Sequence, residues 1–407
     1  MDSNDRAITA FTMLGHATFH TYELVVPIFV VIWLDAYSTT TAFLGLVVGA
    51  SYAATGVGAL PSGVLSDRFS AKRLIVASMA GMGGGFLVVS VAPNLLVLSL
   101  GLLLWGIAAS VYHPAGLSLI SRGTHERGTA FAYHGAAGNV GVATGPLLGA
   151  ILLAFFGWRT VAAVLVVPVA VAVLLALRLE FDETAAVDAD DDAVTDGRGE
   201  ISSLREFATN SKLLFASGFL FVFFIGNLYG LYYRGAFTFL PDILSGIALF
   251  APVELAGRTF EPSQYVYSGL LILGGAGQYV GGKLVDRYEA ERVLVVNFSI
   301  LALVAFAFVP ASNAGLAPLL AVSGMLGFFV FMEAPVNQEV ISKYVPADLR
   351  GLSFGWTYIA IFGVGALGSA LAGFVLSRWS AAVLFAILAA FAVVAAGIGV
   401  YLSRRGD

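Results

Sequence analysis

The chain has 407 residues, 58% of them hydrophobic and only 12% charged, with a formal charge of −5, a mean hydropathy of +0.88 and no cysteine. Soluble domains carry about 25% charged residues, so this composition excludes an ordinary water-soluble fold, and the missing thiols exclude disulfides, thiolate catalysis and cysteine metal centres. The acidic excess is concentrated between Asp182 and Glu206, which does not predict nucleic-acid binding, and no nucleophile elbow, HExxH or phosphate loop predicts an enzyme.

A bilayer-spanning helix needs about 20 mostly apolar residues. By that ruler the first half holds spans at about 8–34, 42–62, 73–92, 95–120, 128–156 and 160–179. The second half holds spans at about 212–240, 263–283, 292–311, 315–342, 350–377 and 380–402. The expected organisation is therefore a six-helix unit (1–179), an acidic linker (180–211) and a second six-helix unit (212–407). The linker lacks apolar periodicity and is expected to be flexible and solvated. A second polar insert runs from Pro241 to Pro262. Basic residues fall mainly in the loops on the side of the N-terminus, among them Arg68, Lys72, Arg73, Arg122, Arg127, Lys283, Arg287 and Arg350, whereas Arg159, Arg234, Arg258 and Arg378 fall on the other. The positive-inside rule then predicts a multi-pass protein of the plasma membrane with both termini cytoplasmic.

The loop after the second span reads Gly63-Val64-Leu65-Ser66-Asp67-Arg68, and the loop after the eighth reads Gly282-Lys283-Leu284-Val285-Asp286-Arg287. Both place Asp-Arg four residues after a glycine, and such a repeat predicts two related halves. The pattern resembles the loop between the second and third helices of major facilitator superfamily transporters. That resemblance implies an all-α fold of twelve transmembrane helices in two pseudo-symmetric bundles that rock about a central cleft. A further repeat, Arg127-Gly128 opening the fifth helix and Arg350-Gly351 opening the eleventh, predicts a cytoplasmic gate. In it Asp67 meets Arg350 and the positive end of its helix, and Asp286 does the same near Arg127.

The fifth helix contains Gly138-Asn139-Val140-Gly141-Val142-Ala143-Thr144-Gly145-Pro146-Leu147-Leu148-Gly149. Glycines at 141, 145 and 149 leave one stripe without side chains, on which a neighbouring helix can pack closely, and Pro146 removes a backbone hydrogen bond. The Gly-Pro step with glycine three residues on resembles the antiporter motif of facilitator-type drug exporters. His16, Gly106 to Pro114 and Gly138-Asn139 resemble, more narrowly, the fosmidomycin-resistance branch of drug–proton antiporters. Two departures stand out. Leu103 occupies the fourth-helix position where many such antiporters carry arginine, and His20 stands where branch members more often carry a carboxylate.

Ionisable residues inside a membrane are functional candidates. His16, His20 and Glu23 share a face of the first helix, Tyr112 and His113 precede Pro114 in the fourth, and His134 and Asn139 lie in the fifth. Asn227, Tyr229 and Arg234 lie in the seventh helix, and Glu333 and Asn337 flank Pro335 in the tenth. In the facilitator fold helices 1, 4, 7 and 10 surround the cavity, so the resemblance implies that most of these groups converge there. Histidine and a desolvated carboxyl are both suitable proton carriers, with Glu23, His20 and Glu333 the candidates. A His/Glu cluster also offers ligands to a transition metal, yet with no sulfur from cysteine and only six methionines no metal site and no cofactor other than a coupling proton is expected. The expected activity is proton-coupled efflux of a small organic or drug-like solute by a monomeric transporter. Proton- or sodium-coupled uptake of an organic anion held by Arg234, and a transporter-like sensor acting through the acidic linker, are the alternatives.

Overall fold

The computed structural model describes the chain except for residues 60, 63–64, 66–68, 188–203, 346–348 and 405–407, and except for the side chains of residues 204, 350 and 351 within helices. Gly63, Asp67 and Arg68 and the side chain of Arg350, four parts of the expected gate, thus lie outside the described residues.

Among the described residues, helices on each of the twelve expected spans follow in chain order. They are α1 (Ser3–Ala36), α2 (Thr41–Val57), α3 (Ala71–Ser90), α4 (Leu95–Gly123), α5 (Arg127–Leu153) and α6 (Trp158–Arg178), then α7 (Phe219–Phe237), α8 (Pro262–Val285), α9 (Ala290–Ala314), α10 (Leu316–Tyr344), α11 (Leu352–Arg378) and α12 (Ala381–Ser403). Among the described residues ten helices are long and apolar enough to cross a membrane, and α7 with the helix before it makes an eleventh. α8 is as long, at 24 residues, but six glycines and four Ser and Gln side chains dilute its hydropathy. The chain is a multi-pass membrane protein. Large apolar side chains such as Leu46, Leu96, Leu174 and Leu303 stand exposed along its helices, as contact with lipid allows.

By compactness the chain divides into two units: Met1–Thr39 with Val47–Val194 and Pro252–Tyr265, and Thr40–Leu46 with Thr195–Ala251 and Val266–Asp407. In the first, α1 packs most extensively against α5, and α3 against α4. In the second, α9 packs between α10 and α12, and α7 lies against α11 and α12. The start of α2 belongs to the second unit because Gly45 lies against the Ser369 carbonyl and Gly373, while Thr41 Oγ1 donates to the Gly373 carbonyl at 2.9 Å. The polar insert after α7 folds into a short helix, a 3₁₀ turn and a β-hairpin (Val253–Leu255 with Arg258–Phe260). Ala256 and Gly257 turn that hairpin at φ of 52° and 72°, the left-handed pair that matches strand twist.

The stretch expected to be a flexible linker is structured at both ends. Leu179 to Val187 straps the end of the first unit that carries the N-terminus. Glu183 accepts the Ala71 and Lys72 backbone N–H groups (2.7 and 3.3 Å) and the Ser70 hydroxyl, capping α3. Asn4 exchanges hydrogen bonds with the Asp182 backbone, and Ala186 N–H donates to the Arg122 carbonyl at 3.0 Å. The Thr184 backbone N–H and hydroxyl hold the Asp182 carboxyl below its ordinary range. The buried Asp5 carboxylate, from the start of α1, likewise caps α5 through the His125 and Glu126 N–H groups at 3.0 and 3.1 Å. Orphan donors at helix starts explain all of this: four N–H groups lack intrahelical partners, and a carboxylate is their best acceptor. At its other end the linker is helical from Leu204 to Phe215, turned 89° from α7. Its Ser211 hydroxyl accepts from the indole N–H of Trp356, on which Phe207 and Phe215 also pack. Glu183→Ala removes a cap worth about 1 kcal/mol, so limited proteolysis within 179–187 is expected to run roughly fivefold faster than in the parent chain. An unchanged rate would show that the strap is held by its backbone contacts alone.

Candidate functional site

In the first unit the site begins with a close helix contact. α5 meets α1 along the glycine stripe, where a Cβ at position 145 would stand 2.7 Å from the Thr21 Cα and carbonyl oxygen, and one at position 149 would stand 2.7 Å from the Val25 side chain. A Cβ at 141 would collide with the Ala17 carbonyl. At Gly138 the missing side chain leaves room for an imidazole, since a Cβ there would lie 2.5 Å from the His16 ring. Pro146 lies buried within an otherwise continuous α5. α4 breaks between Ala109 and Tyr112. Pro114 then falls in the first turn of the new segment, where its missing N–H has no intrahelical role. That break aims Tyr112 and His113 at α1.

Four of the five histidines of the chain meet here. His16 stacks on His134 with ring centroids 3.9 Å apart and planes at 12°, and stands 4.7 Å from His20 and 5.2 Å from His113 by the same measure. His16 Nδ1–H donates to the His134 backbone carbonyl at 2.7 Å, which assigns its tautomer because a carbonyl only accepts. His16 Nε2 faces His20 Nε2 at 3.1 Å, and His20 Nδ1 meets Glu23 Oε2 at 2.6 Å. The Tyr112 hydroxyl donates to the Thr12 carbonyl at 2.5 Å and accepts from His134 Nε2 at 3.1 Å. Glu23 is 1% exposed whereas the His20 side chain, between it and His16, is 18% exposed, so the run of contacts is accessible at His20. Asn139 is half-buried and stands outside these contacts. One nitrogen from each of His16, His20 and His113 lies within 4.8 Å of the other two, and the carboxylates of Asp2 and Asp5 with His125 form a similar group at the N-terminus.

In the second unit Glu333 is fully buried. It turns towards α9, where Asn297 Nδ2 donates to its Oε2 at 2.8 Å. Among the described residues Glu333 Oε1 and Asn297 Oδ1 have no hydrogen-bond partner, and no cation lies within ion-pair distance of Glu333. Asn337 is 4% exposed on the same helix. The Tyr229 hydroxyl donates to the Val330 carbonyl at 3.1 Å, and Asn227 Nδ2 turns back onto its own helix at the Phe223 carbonyl, 2.7 Å away. Arg234 is buried with its guanidinium over the Tyr233 ring at 4.9 Å and the Phe362 ring at 5.4 Å, a cation–π arrangement. Phe362 belongs to a wide-turn stretch of α11, Ile359–Val364.

Of the described gate residues, Asp286 pairs with Lys283 at 3.8 Å, three residues away, and Arg127 donates to the Ala186 carbonyl at 3.4 Å. Asp286 is two-thirds exposed. Two contributors escaped the reading of the sequence as parts of the site. Asn297 was legible as a polar side chain in the apolar α9. Gly138 entered the reading of the sequence only as part of a family resemblance, not as the room it leaves for the His16 ring.

The Major Facilitator Superfamily model matches residues 10–369, and again 263–406. The 4-hydroxybenzoate transporter PcaK of Pseudomonas putida is 24% identical over 419 residues, covering 90% of this chain and 86% of that protein. The puromycin resistance protein pur8 of Streptomyces alboniger is 35% identical over 123 residues, and the multidrug resistance protein B homolog of Mycobacterium tuberculosis 31% identical over 128 residues. These two matches cover 30% and 31% of this chain and 24% of each relative. Among solved structures, a D-xylose–proton symporter aligns with a TM-score of 0.75 at 14% identity, over 98% of this chain and 97% of the other. A bacterial homolog of the human lysosomal transporter Spinster, inward-facing and occupied, aligns with a TM-score of 0.74 at 13% identity over 99% and 98%.

Proposed function

Starting from the fact that this chain belongs to the Major Facilitator Superfamily, as a membrane transporter and not an enzyme, we propose that it is a secondary active transporter that exports a small organic, drug-like solute in exchange for protons. The observation that carries proton coupling is Glu333. A fully buried carboxylate with one donor and, among the described residues, no cation within ion-pair distance is expensive. A proton removes the charge and gives the unpartnered Oε1 a hydrogen to donate, so Glu333 changes charge when alternating access exposes it to water. Two features support outward movement: the glycine–proline stripe of α5, which packs directly on the α1 backbone, and the partial matches to drug-resistance proteins. A side chain-free contact excludes water between helices, which a proton-driven exchanger needs if it is not to leak.

One observation favours a second reading, the uptake of an aromatic carboxylate. A relative that matches 90% of this chain is a 4-hydroxybenzoate transporter, and the buried Arg234 beside Tyr233 and Phe362 combines the charge and the flat apolar surface that such an anion would use. The two readings differ in sign. In proteoliposomes with the membrane potential held at zero, an antiporter accumulates labelled probe when the lumen is the more acidic side, and a symporter when the bath is. Puromycin and 4-hydroxybenzoate serve as the probes. The expected result is accumulation driven by an acidic lumen, and flux indifferent to gradients of both signs would remove proton coupling altogether.

A further inference from the structure

The histidine cluster of the first unit has one contact more than two neutral imidazoles and a carboxylate can complete. His16 Nδ1–H is committed to the His134 carbonyl at 2.7 Å, and His20 Nδ1 faces the Glu23 carboxylate at 2.6 Å, a separation that needs a hydrogen between them. With both Nδ1 hydrogens so placed, the Nε2 lone pairs of two neutral imidazoles point at each other across 3.1 Å. Three contacts in a row need three positive centres, whereas two neutral imidazoles and a carboxylate supply two hydrogens. The third is supplied either by one further proton on the cluster or by a bound metal ion.

We propose that His16 Nε2, His20 Nε2 and a ring nitrogen of His113 form a binding site for a divalent transition-metal ion of the Zn²⁺, Co²⁺ or Ni²⁺ type. Imidazole is the preferred ligand of these ions, and metal–nitrogen bonds of about 2.0–2.1 Å set neighbouring ligand nitrogens roughly 3.0–3.4 Å apart. The observed 3.1 Å falls in that interval. The outer nitrogens carry the matching support. Metal-bound histidine almost always donates its other N–H to a carbonyl or a carboxylate, which fixes the ring and strengthens the ligand. His16 does so to a carbonyl and His20 to Glu23. Convergence of a third imidazole from α4, with one nitrogen within 4.8 Å of the other two, favours a metal site over a single proton shared by two rings. The ion would tie α1 to the broken segment of α4, and the partly exposed His20 gives it an approach. The inference uses only side chains of the first unit and does not depend on the transport reading.

The test is metal binding by the purified full chain in detergent, carried on an affinity tag that contains no histidine, with Co²⁺ and Zn²⁺ themselves as probes. Calorimetry is expected to give one Co²⁺ per chain, visible ligand-field bands should accompany it, and Zn²⁺ should displace it. His20→Gln should abolish that stoichiometric site, and Glu23→Gln, which keeps all three ligands, should weaken it by about 10- to 100-fold. His125→Gln, which alters the surface group with Asp2 and Asp5, should leave it unchanged. Thermal melting of each variant shows whether it is folded. The proposal is overturned if the parent chain binds no more Co²⁺ than His20→Gln does, or if binding survives His20→Gln and vanishes with His125→Gln.

Discussion

Glu333→Gln is expected to uncouple solute movement from the proton gradient while leaving the fold intact. The amide preserves the contact with α9. Its carbonyl accepts from Asn297 Nδ2 as Glu333 Oε2 does at 2.8 Å, and its NH₂ can donate to Asn297 Oδ1, which lacks a donor among the described residues. The variant therefore imitates the neutral form of the carboxyl permanently. One pH unit is worth 1.36 kcal/mol per proton, so an electroneutral one-for-one exchanger reaches about tenfold accumulation at that gradient. The variant should fall to about onefold, with downhill flux retained and melting within a few degrees of the parent. Accumulation that still follows the gradient in Glu333→Gln would move the coupling group elsewhere in the chain.

The second large effect concerns the seam between α1 and α5. Gly145→Leu places a Cβ 2.7 Å from the Thr21 backbone, and backbone cannot move aside as the end of a flexible side chain can. The helices must separate, which forfeits close packing along three turns and also shifts Gly138 away from the His16 ring. Overpacking of this kind costs about 1–3 kcal/mol, and the variant should melt several degrees lower in detergent and lose transport. Gly135→Ala on the same helix is the control. A Cβ there meets nothing within 4 Å, and replacing a mid-helix glycine favours the helix by roughly 0.5–1 kcal/mol. If Gly145→Leu and Gly135→Ala melted alike, the stripe would have no structural role.

The two-sided character of the helices explains why some of this was legible beforehand. α1 carries His16, His20 and Glu23 on one face, and spacing along a single helix predicts that they meet, as they do at 3.1 and 2.6 Å. The same logic grouped Glu333 with Asn337, yet Glu333 turns to α9. A four-residue spacing leaves two side chains about 40° apart, enough for one to reach a neighbouring helix that the other does not touch. The linker shows another limit at its ends. Its composition predicts a solvated coil, but Asn4, Ser70 and the open N-terminus of α3 supply partners for Asp182 and Glu183, and composition carries no record of what lies opposite.

Membrane residence, the number and order of the spans, the repeat of the two halves and the glycine seam of α5 all follow from the sequence by itself. Hydropathy and small-residue spacing are sums over neighbours in the chain, and a lipid solvent enforces them helix by helix. Which groups become partners was decided only in three dimensions: His16 with the His134 carbonyl, Glu333 with Asn297, and Glu183 with the start of α3. Each depends on the rotation and axial offset of one helix against another. Those offsets are fixed by the packing of every contact along the helices together, which no local stretch of sequence contains.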